Sequence, residues 1–291
     1  MTAAGSLDRP SHSPCNSTAL TVTFDTNTLA PVVCPATAQL PENKINGAAV
    51  RAAIQAGRIC GFFSETIITV EGIKGTERWD VLSKTRVFSD ATSIGENGRG
   101  PSVSLRFGVG MHHVRSPLDR RASARIQAAL ELGIRPLWTA SRFGHYHLDP
   151  EAYPVFKFAV GMPDFLRCMD DVNAMATEIE RRGLGRRVAA ELGQQFSKRD
   201  GVDTPELWLQ GLGRACNESE RAKVAAATRE WADGDIIAAH YGFGIQLFCS
   251  DDFGKSSPGP SVLDYGNRKW LSEEFGIEFV TLAELAQRVT E

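Results

Sequence analysis

Short apolar runs that end in a polar turn, with helical segments between them, constrain the fold of this chain more than any other feature. Residues 19–24 alternate small or polar with apolar side chains and lead into Asp25. Residues 46–57 look helical and end in a glycine, and residues 58–63 form a second strand-like run. Strands that alternate with helices favour a parallel sheet, because parallel strands need a crossover connection. The sequence therefore predicts an α/β fold.

The last quarter of the chain returns to the same order of elements. Residues 217–232 and the apolar segment after Asp235 have helical patterns, and the strand-like run 245–250 leads into Asp251. A last strand at 277–280 precedes a helix whose opening residues, Thr-Leu-Ala-Glu, form a capping box. This part of the chain is again predicted to be α/β.

The middle of the chain breaks this order. Residues 102–109 alternate cleanly as a strand, residues 121–132 and the stretch from Asp164 to Gly183 have helical patterns, and the run from Pro136 is typical of a strand, but these elements do not repeat. We therefore predict a discontinuous core made of residues 19–75 and 217–291, with residues 76–216 as an inserted α+β segment. Residues 1–18, which are rich in Ser, Ala and Pro, are predicted to form a mobile tail.

Composition narrows the class of protein. No apolar run reaches the roughly 18 residues that a membrane-spanning helix needs, so we expect no membrane association. The net charge of −3 supplies no overall basic field, and contact with nucleic acid would need a local basic patch or a bound cation. The six cysteines form no Cys-x-x-Cys pair, which argues against a zinc site and is more typical of a reducing cytoplasm than of a disulfide framework. We expect a cytoplasmic protein.

Four acidic residues far apart in the chain lie at the boundaries of the predicted elements. Asp25 and Asp251 each follow a strand, Glu71 lies in the segment after the second strand, and Asp235 opens a helix. Ligands of open α/β sheets bind at the carboxyl ends of the strands. Carboxylates collected there repel one another, and oxygen ligands of this kind suit Mg²⁺ or Mn²⁺. The pattern favours metal-dependent phosphodiester cleavage, although Asp and Asn after a strand are also common turn formers and helix caps.

The residues around these acids resemble the successive motifs of the PIN-domain nucleases. The resemblance covers residues 19–75 and 217–291 and rests on four segments: Thr-Phe-Asp25-Thr-Asn27-Thr-Leu, the stretch from Ser64 to Glu71, Asp235-Ile-Ile-Ala-Ala-His, and Leu-Phe-Cys-Ser-Asp251-Asp252-Phe. It implies a three-layer α/β/α sandwich with a mainly parallel sheet. It also implies Mg²⁺ or Mn²⁺ at an acidic cluster, and cleavage of single-stranded or structured RNA.

The resemblance assigns three of the four acids directly. Asp25 matches the first acid and Asp251 the fourth, with Asp252 as the alternative. The second acid of the family lies inside its helix, which favours Glu71 over Glu65, because Glu65 lies so near the strand end that its charge suits the helix N-terminus. Asp25 and Asp251 are thus implied to be metal ligands, and Glu71 would assist directly or through water.

The third acid departs from the family pattern. Alignment on Ile-Ala-Ala puts Gly234 where the family usually has Asp, and Asp233 and Asp235 flank it. We take Asp235 as the third metal ligand and Asp233 as the alternative. Asn27 is expected to orient a carboxylate or a metal-bound water, and Lys255, in the loop after the fourth acid, to touch a substrate phosphate.

The predicted function is a metal-dependent endoribonuclease that acts on an RNA substrate, and a protein inhibitor or a homodimer partner is left open. Arginine clusters in the insertion could hold a phosphate backbone or simply be solvated helix ends: Arg120-Arg121 with Arg125, and Arg181-Arg182 with Arg186-Arg187. The main alternative is a PIN-like scaffold with a degenerate site that binds RNA or protein. A haloacid-dehalogenase-type phosphohydrolase ranks lower, since Asn27 stands where that type needs a general acid.

Overall fold

The computed structural model describes residues 18–67, 71, 78–79, 85–94, 102–111, 120–137, 162–202, 208–254, 259 and 261–291. The predicted tail up to residue 17 and Lys255 lie outside the described residues, as does most of the segment between Ile67 and Arg78.

Seven strands lie in the described part of the chain: β1 (Leu20–Phe24), β2 (Ile59–Ser64), β3 (Thr85–Ile94), β4 (Ser102–Met111), β5 (Arg135–Leu137), β6 (Leu247–Cys249) and β7 (Glu278–Val280). Five of them form one sheet in the order β5-β2-β1-β6-β7, in which every pairing is parallel. β3 and β4 form a separate antiparallel hairpin. The predicted α/β class with a mainly parallel sheet is confirmed.

Nine α-helices lie in the same described ranges: α1 (Thr26–Val33), α2 (Pro41–Gln55), α3 (Arg120–Glu131), α4 (Met162–Arg181), α5 (Arg186–Arg199), α6 (Trp208–Leu212), α7 (Glu218–Gly242), α8 (Tyr265–Phe275) and α9 (Leu282–Thr290). Residues of α1, α2, α3 and α9 form one apolar core with the sheet. Residues of α4, α7 and α8 form a second core with Phe248 of β6. The sheet therefore has helices on both faces.

Side chains of the central strands divide between these two cores, because successive residues of a strand point to opposite faces. Val22 and Phe24 of β1 lie in the core with α1, α2, α3 and α9. Thr23 points the other way, where its Oγ1 lies 3.0 Å from Nδ1 of His240 in α7. Burial on both faces explains why the strands appear in the sequence as apolar runs.

Parts of the range 76–216, which was predicted as an insertion, pack with the central sheet. β5 extends the central sheet beside β2, and α3 buries Ile126 and Ala129 in the first core. α4 buries Val172 and Met175 in the second core, against α7. The β3–β4 hairpin lies outside the central sheet, and α5 and α6 pack on the first half of α7. The helix predicted at 121–132, the strand after it and the helix predicted from Asp164 are present as α3, β5 and α4.

The helix predicted to open at Asp235 is the second half of a longer one, since α7 runs unbroken from Glu218 to Gly242. Asn217 caps it, as predicted. Gly234 lies where α7 crosses the turn between α4 and α5, and a Cβ at this position would lie 2.9 Å from Cα of Gly185. This close approach explains a glycine in the middle of a helix.

Two expectations about the environment of the protein have a partial answer. In the described part of the chain, no helix combines the length and the apolar character that crossing a membrane requires. Cys60 of β2 is disulfide-bonded, whereas Cys34, Cys168, Cys216 and Cys249 are free thiols. A disulfide at Cys60 does not favour the reducing environment that the sequence suggested, and the cytoplasmic location stays a prediction.

Candidate acidic site at the carboxyl edge of the sheet

Asp25 lies at the carboxyl end of β1, the central strand, and is also the N-cap of α1. Its Oδ1 accepts a hydrogen bond of 2.6 Å from the backbone N–H of Thr26. Its Oδ2 accepts hydrogen bonds of 2.6 Å from Nδ2 of Asn27 and from Oγ of Ser250. The residue is only 6% exposed. Three donors therefore hold this buried carboxyl group in one orientation, and Asn27 has the orienting contact that the sequence suggested.

Glu71 lies beside the start of α1. Its Oε2 accepts hydrogen bonds from the hydroxyl groups of Thr26 (2.9 Å) and Thr66 (3.2 Å). Glu65, the alternative second acid, is buried in a short 3₁₀ turn directly after β2. Because Thr26 follows Asp25 directly and is bonded to Glu71, the geometry agrees with the choice of Glu71.

Four carboxyl groups at this edge act on one another electrostatically. Burial raises the pKa of Asp25 from 3.8 to about 7, and the charges of Glu71 and Asp252 add to the rise, while its hydrogen bonds act against it. Burial also raises the pKa of Asp233 well above 3.8, and the charges of Asp25, Glu71 and Asp252 raise it further. The charges of Glu71 and Asp252 thus bear on both Asp25 and Asp233, and we call these four residues the acidic site; the charge of Glu230 also raises the pKa of Asp233.

α7 directs Asp233 and Asp235 to nearly opposite sides, because two residues advance about 200° around a helix. Asp233 lines a pocket together with Asp252. Asp235 is 3% exposed, and its charge acts on Arg186 at the start of α5. The structure therefore brings Asp233, and not the predicted Asp235, to the other acids. The prediction treated Asp235 as the start of a helix, whereas the continuous α7 fixes its direction by helical phase.

The two acids after β6 also point apart. Oδ1 of Asp251 accepts a hydrogen bond of 2.9 Å from the backbone N–H of Leu282, the first residue of α9. Oδ1 of Asp252 accepts one of 2.8 Å from the backbone N–H of Gly254, and the residue lines the pocket beside Asp233. Asp251, the predicted fourth acid, thus stabilises the start of α9, while its alternative Asp252 belongs to the acidic site.

Arg268 of α8 fixes the loop that carries these acids, and nothing in its sequence context predicted this. Its Nη2 donates to the backbone carbonyl of Ser250 at 3.3 Å and also to that of Asp252. The guanidinium lies over the rings of Phe253 and Phe279, at 4.4 Å and 4.8 Å from their centroids. Arg268 is therefore a structural anchor for this loop.

Ser250 was also missed by the sequence reasoning, although a hydroxyl group directly after a buried strand was a usable signal.

The donor chemistry of the acidic site fits a hard divalent cation, since carboxylate oxygens are ligands that Mg²⁺ and Mn²⁺ prefer. In the ranges that the structure describes, no group of three or more His, Cys, Asp or Glu side chains lies close enough together to hold a metal ion. The four acids thus share an electrostatic field without forming a closed set of ligands.

Fold and site together define an α/β protein with an acidic site at the carboxyl edge of a parallel sheet. Comparisons with family models, with curated proteins and with solved structures found no match to this chain. The resemblance to PIN-domain nucleases therefore stays a prediction that rests on the motifs themselves.

Proposed function

We propose that the protein is a metal-dependent endoribonuclease. Its acidic site, made of Asp25, Glu71, Asp233 and Asp252, would cleave the phosphodiester bonds of RNA. One observation carries this proposal: the carboxyl group of Asp25 is buried at the end of the central strand, and three further acids act on its pKa or share its field. Burying like charges together is unfavourable, and a divalent cation is the ordinary means of compensating it.

The chain's own residues suit this role. One or two of Asp25, Asp233 and Asp252 would hold Mg²⁺ or Mn²⁺ together with waters and the substrate phosphate, and Glu71 would assist directly or through water. Such a cation lowers the pKa of water and polarises a phosphoryl oxygen. Asn27 orients Asp25, whose position is also set by the rigid central strand. The choice of RNA as the substrate rests on the resemblance to PIN-domain nucleases.

A Mn²⁺ titration followed by thermal unfolding tests the metal site. Binding to the native state alone would stabilise it by about 2.7 kcal/mol at a concentration a hundred times the Kd. Asp252→Asn should abolish both this shift and the cleavage of a labelled single-stranded RNA. The matched control is Asp251→Asn, which alters the neighbouring acid and should keep both, because its carboxylate serves α9.

Asp25→Asn provides the second arm of this test. An asparagine of the same size should keep the fold and abolish cleavage in Mg²⁺ or Mn²⁺. Full activity in Asp25→Asn, or equal losses in the Asp251 and Asp252 variants, would show that the assigned site is wrong.

A degenerate scaffold that binds RNA or protein is the second candidate. The observation that favours it is that the described residues contain no group of three or more His, Cys, Asp or Glu side chains that could hold a metal ion. A scaffold would bind a single-stranded RNA without any Mn²⁺-dependent rise in Tm. The same titration on the native sequence therefore separates the two candidates.

A further inference from the structure

A small pocket adjoins the acidic site, between α7 and the loop after β6. Its volume is about 60 Å³, and its lining includes Arg229, Glu230, Asp233, Asp252, Gly254 and Ser261. One water needs about 10–15 Å³ in such a cavity, so the pocket has room for a few waters or for one phosphate group. Arg229 is the single cation among these lining residues.

Arg229 differs from the arginines that the sequence had suggested for phosphate binding. It is exposed, and within the described ranges it forms no hydrogen bond or ion pair with another residue. Three arginines of the predicted basic cluster are instead engaged with glutamates: Arg181 with Glu178, Arg186 with Glu180, and Arg187 with Glu191. No described residue therefore takes the donors of the Arg229 guanidinium.

A second guanidinium lies close to the same region. Arg78 is 9% exposed, and burial lowers its pKa. Glu71 and Asp233 raise that pKa and Arg229 lowers it, so both the acids and the second arginine act on Arg78. An anion near Arg229 would relieve the repulsion between the two guanidinium groups.

We propose that the pocket beside the acidic site is a phosphate subsite, in which Arg229 binds one phosphate group of a nucleic-acid strand. This inference rests on the proposed function, because the strand would be the substrate of the acidic site. Arg229 suits the task, since a planar guanidinium can donate two hydrogen bonds to one phosphate. Glu230, Asp233 and Asp252 would repel an anion, and a cation at the acidic site would offset their charge and strengthen the binding of the phosphate.

Binding of a fluorescein-labelled single-stranded RNA, followed by anisotropy in Ca²⁺ between about 50 and 200 mM salt, tests the subsite. Arg229→Ala should weaken binding about tenfold. It should also reduce the slope of log K against log salt by about 0.7, the value for one phosphate contact with a single strand. Arg229→Lys should keep most of the slope because it keeps the charge. Lys223→Ala removes an exposed charge from the same helix and should change affinity less than about twofold.

Three results would overturn the subsite: unchanged binding by Arg229→Ala, an equal loss in Lys223→Ala, or no binding of the strand by the native protein. Failure of the proposed function has a different signature. Arg229→Ala should keep the Mn²⁺-dependent rise in Tm, which also shows that the variant is folded. If the native protein lacks that rise while Arg229→Ala still lowers the salt slope, the metal site is refuted and the phosphate subsite stands.

Discussion

Replacing Glu230 by glutamine should change how the stability of the protein depends on pH. Glu230 is 4% exposed in α7, and its Oε1 accepts hydrogen bonds from the backbone N–H groups of Gly185 (2.9 Å) and Val262 (3.0 Å). Burial raises its pKa from 4.5 to about 7, with a smaller contribution from the charge of Asp264, although the hydrogen bonds act in the opposite direction. Burial and hydrogen bonding thus compete at this side chain.

The direction of the pH effect follows from the raised pKa. Between about pH 4.5 and pH 7 the folded chain holds a proton on Glu230 that the unfolded chain has released. The stability that this proton contributes is fully present below pH 4.5 and is lost as the pH rises through 7. A rise in pKa from 4.5 to about 7 corresponds to an upper limit of about 3 kcal/mol, at about 1.36 kcal/mol per pH unit.

Urea denaturation of both proteins between pH 5 and pH 8 measures this effect. Glutamine keeps one acceptor oxygen and does not ionise, so the free energy of unfolding of Glu230→Gln should rise relative to that of the native protein by about 2–3 kcal/mol across the range. Most other titrating groups are common to both proteins and cancel, with the exception of Asp233, whose pKa the charge of Glu230 raises. A difference that stays constant, or that falls with rising pH, would show that the hydrogen bonds outweigh burial and would refute the reasoning.

Two further predictions concern α7. Asp233→Asn should remove the Mn²⁺-dependent rise in Tm, whereas Asp235→Asn should keep it, because the two side chains lie on opposite sides of the helix; equal effects on the shift would contradict the assigned helix face. Gly234→Ala should lower the free energy of unfolding by about 1–3 kcal/mol in urea, since the added Cβ would lie 2.9 Å from Cα of Gly185. A neutral result would mean that the helix and the turn are not in contact.

The fold class was predictable because the strongest local signals agreed with it. The apolar runs before Asp25 and Asp251 form β1 and β6, and the capping box of Thr281 and Glu284 is present at the start of α9. The place of β5 in the sheet was not predictable. It has only three residues, one of them Pro136, so it carries no periodic pattern, and its pairing with β2 joins residues far apart in the chain.

The sequence predicted which helices and strands carry the candidate site. It did not predict which side of α7 faces that site. The choice between Asp233 and Asp235 depends on which side of the helix faces the sheet edge. A stripe of apolar residues would reveal that side, but α7 is buried on nearly all sides from Ala232 to His240, apart from Asp233. The sequence of α7 therefore indicates a buried helix, but it does not reveal how the helix is oriented about its own axis.

The choice between Asp251 and Asp252 differs, because strand alternation contains the answer. Phe248 of β6 lies in the core with α4, α7 and α8, whereas Cys249 lies in the core with α1, α2, α3 and α9. Continued alternation sends Asp251 towards the layer of α9, whose backbone it contacts, and Asp252 towards the layer of α7. By the same alternation, Asp25 follows Phe24 onto the side of α7. Because successive residues of a strand point to opposite faces, Asp252 is the acid on the side of Asp25 and α7 once the two faces of the sheet are known.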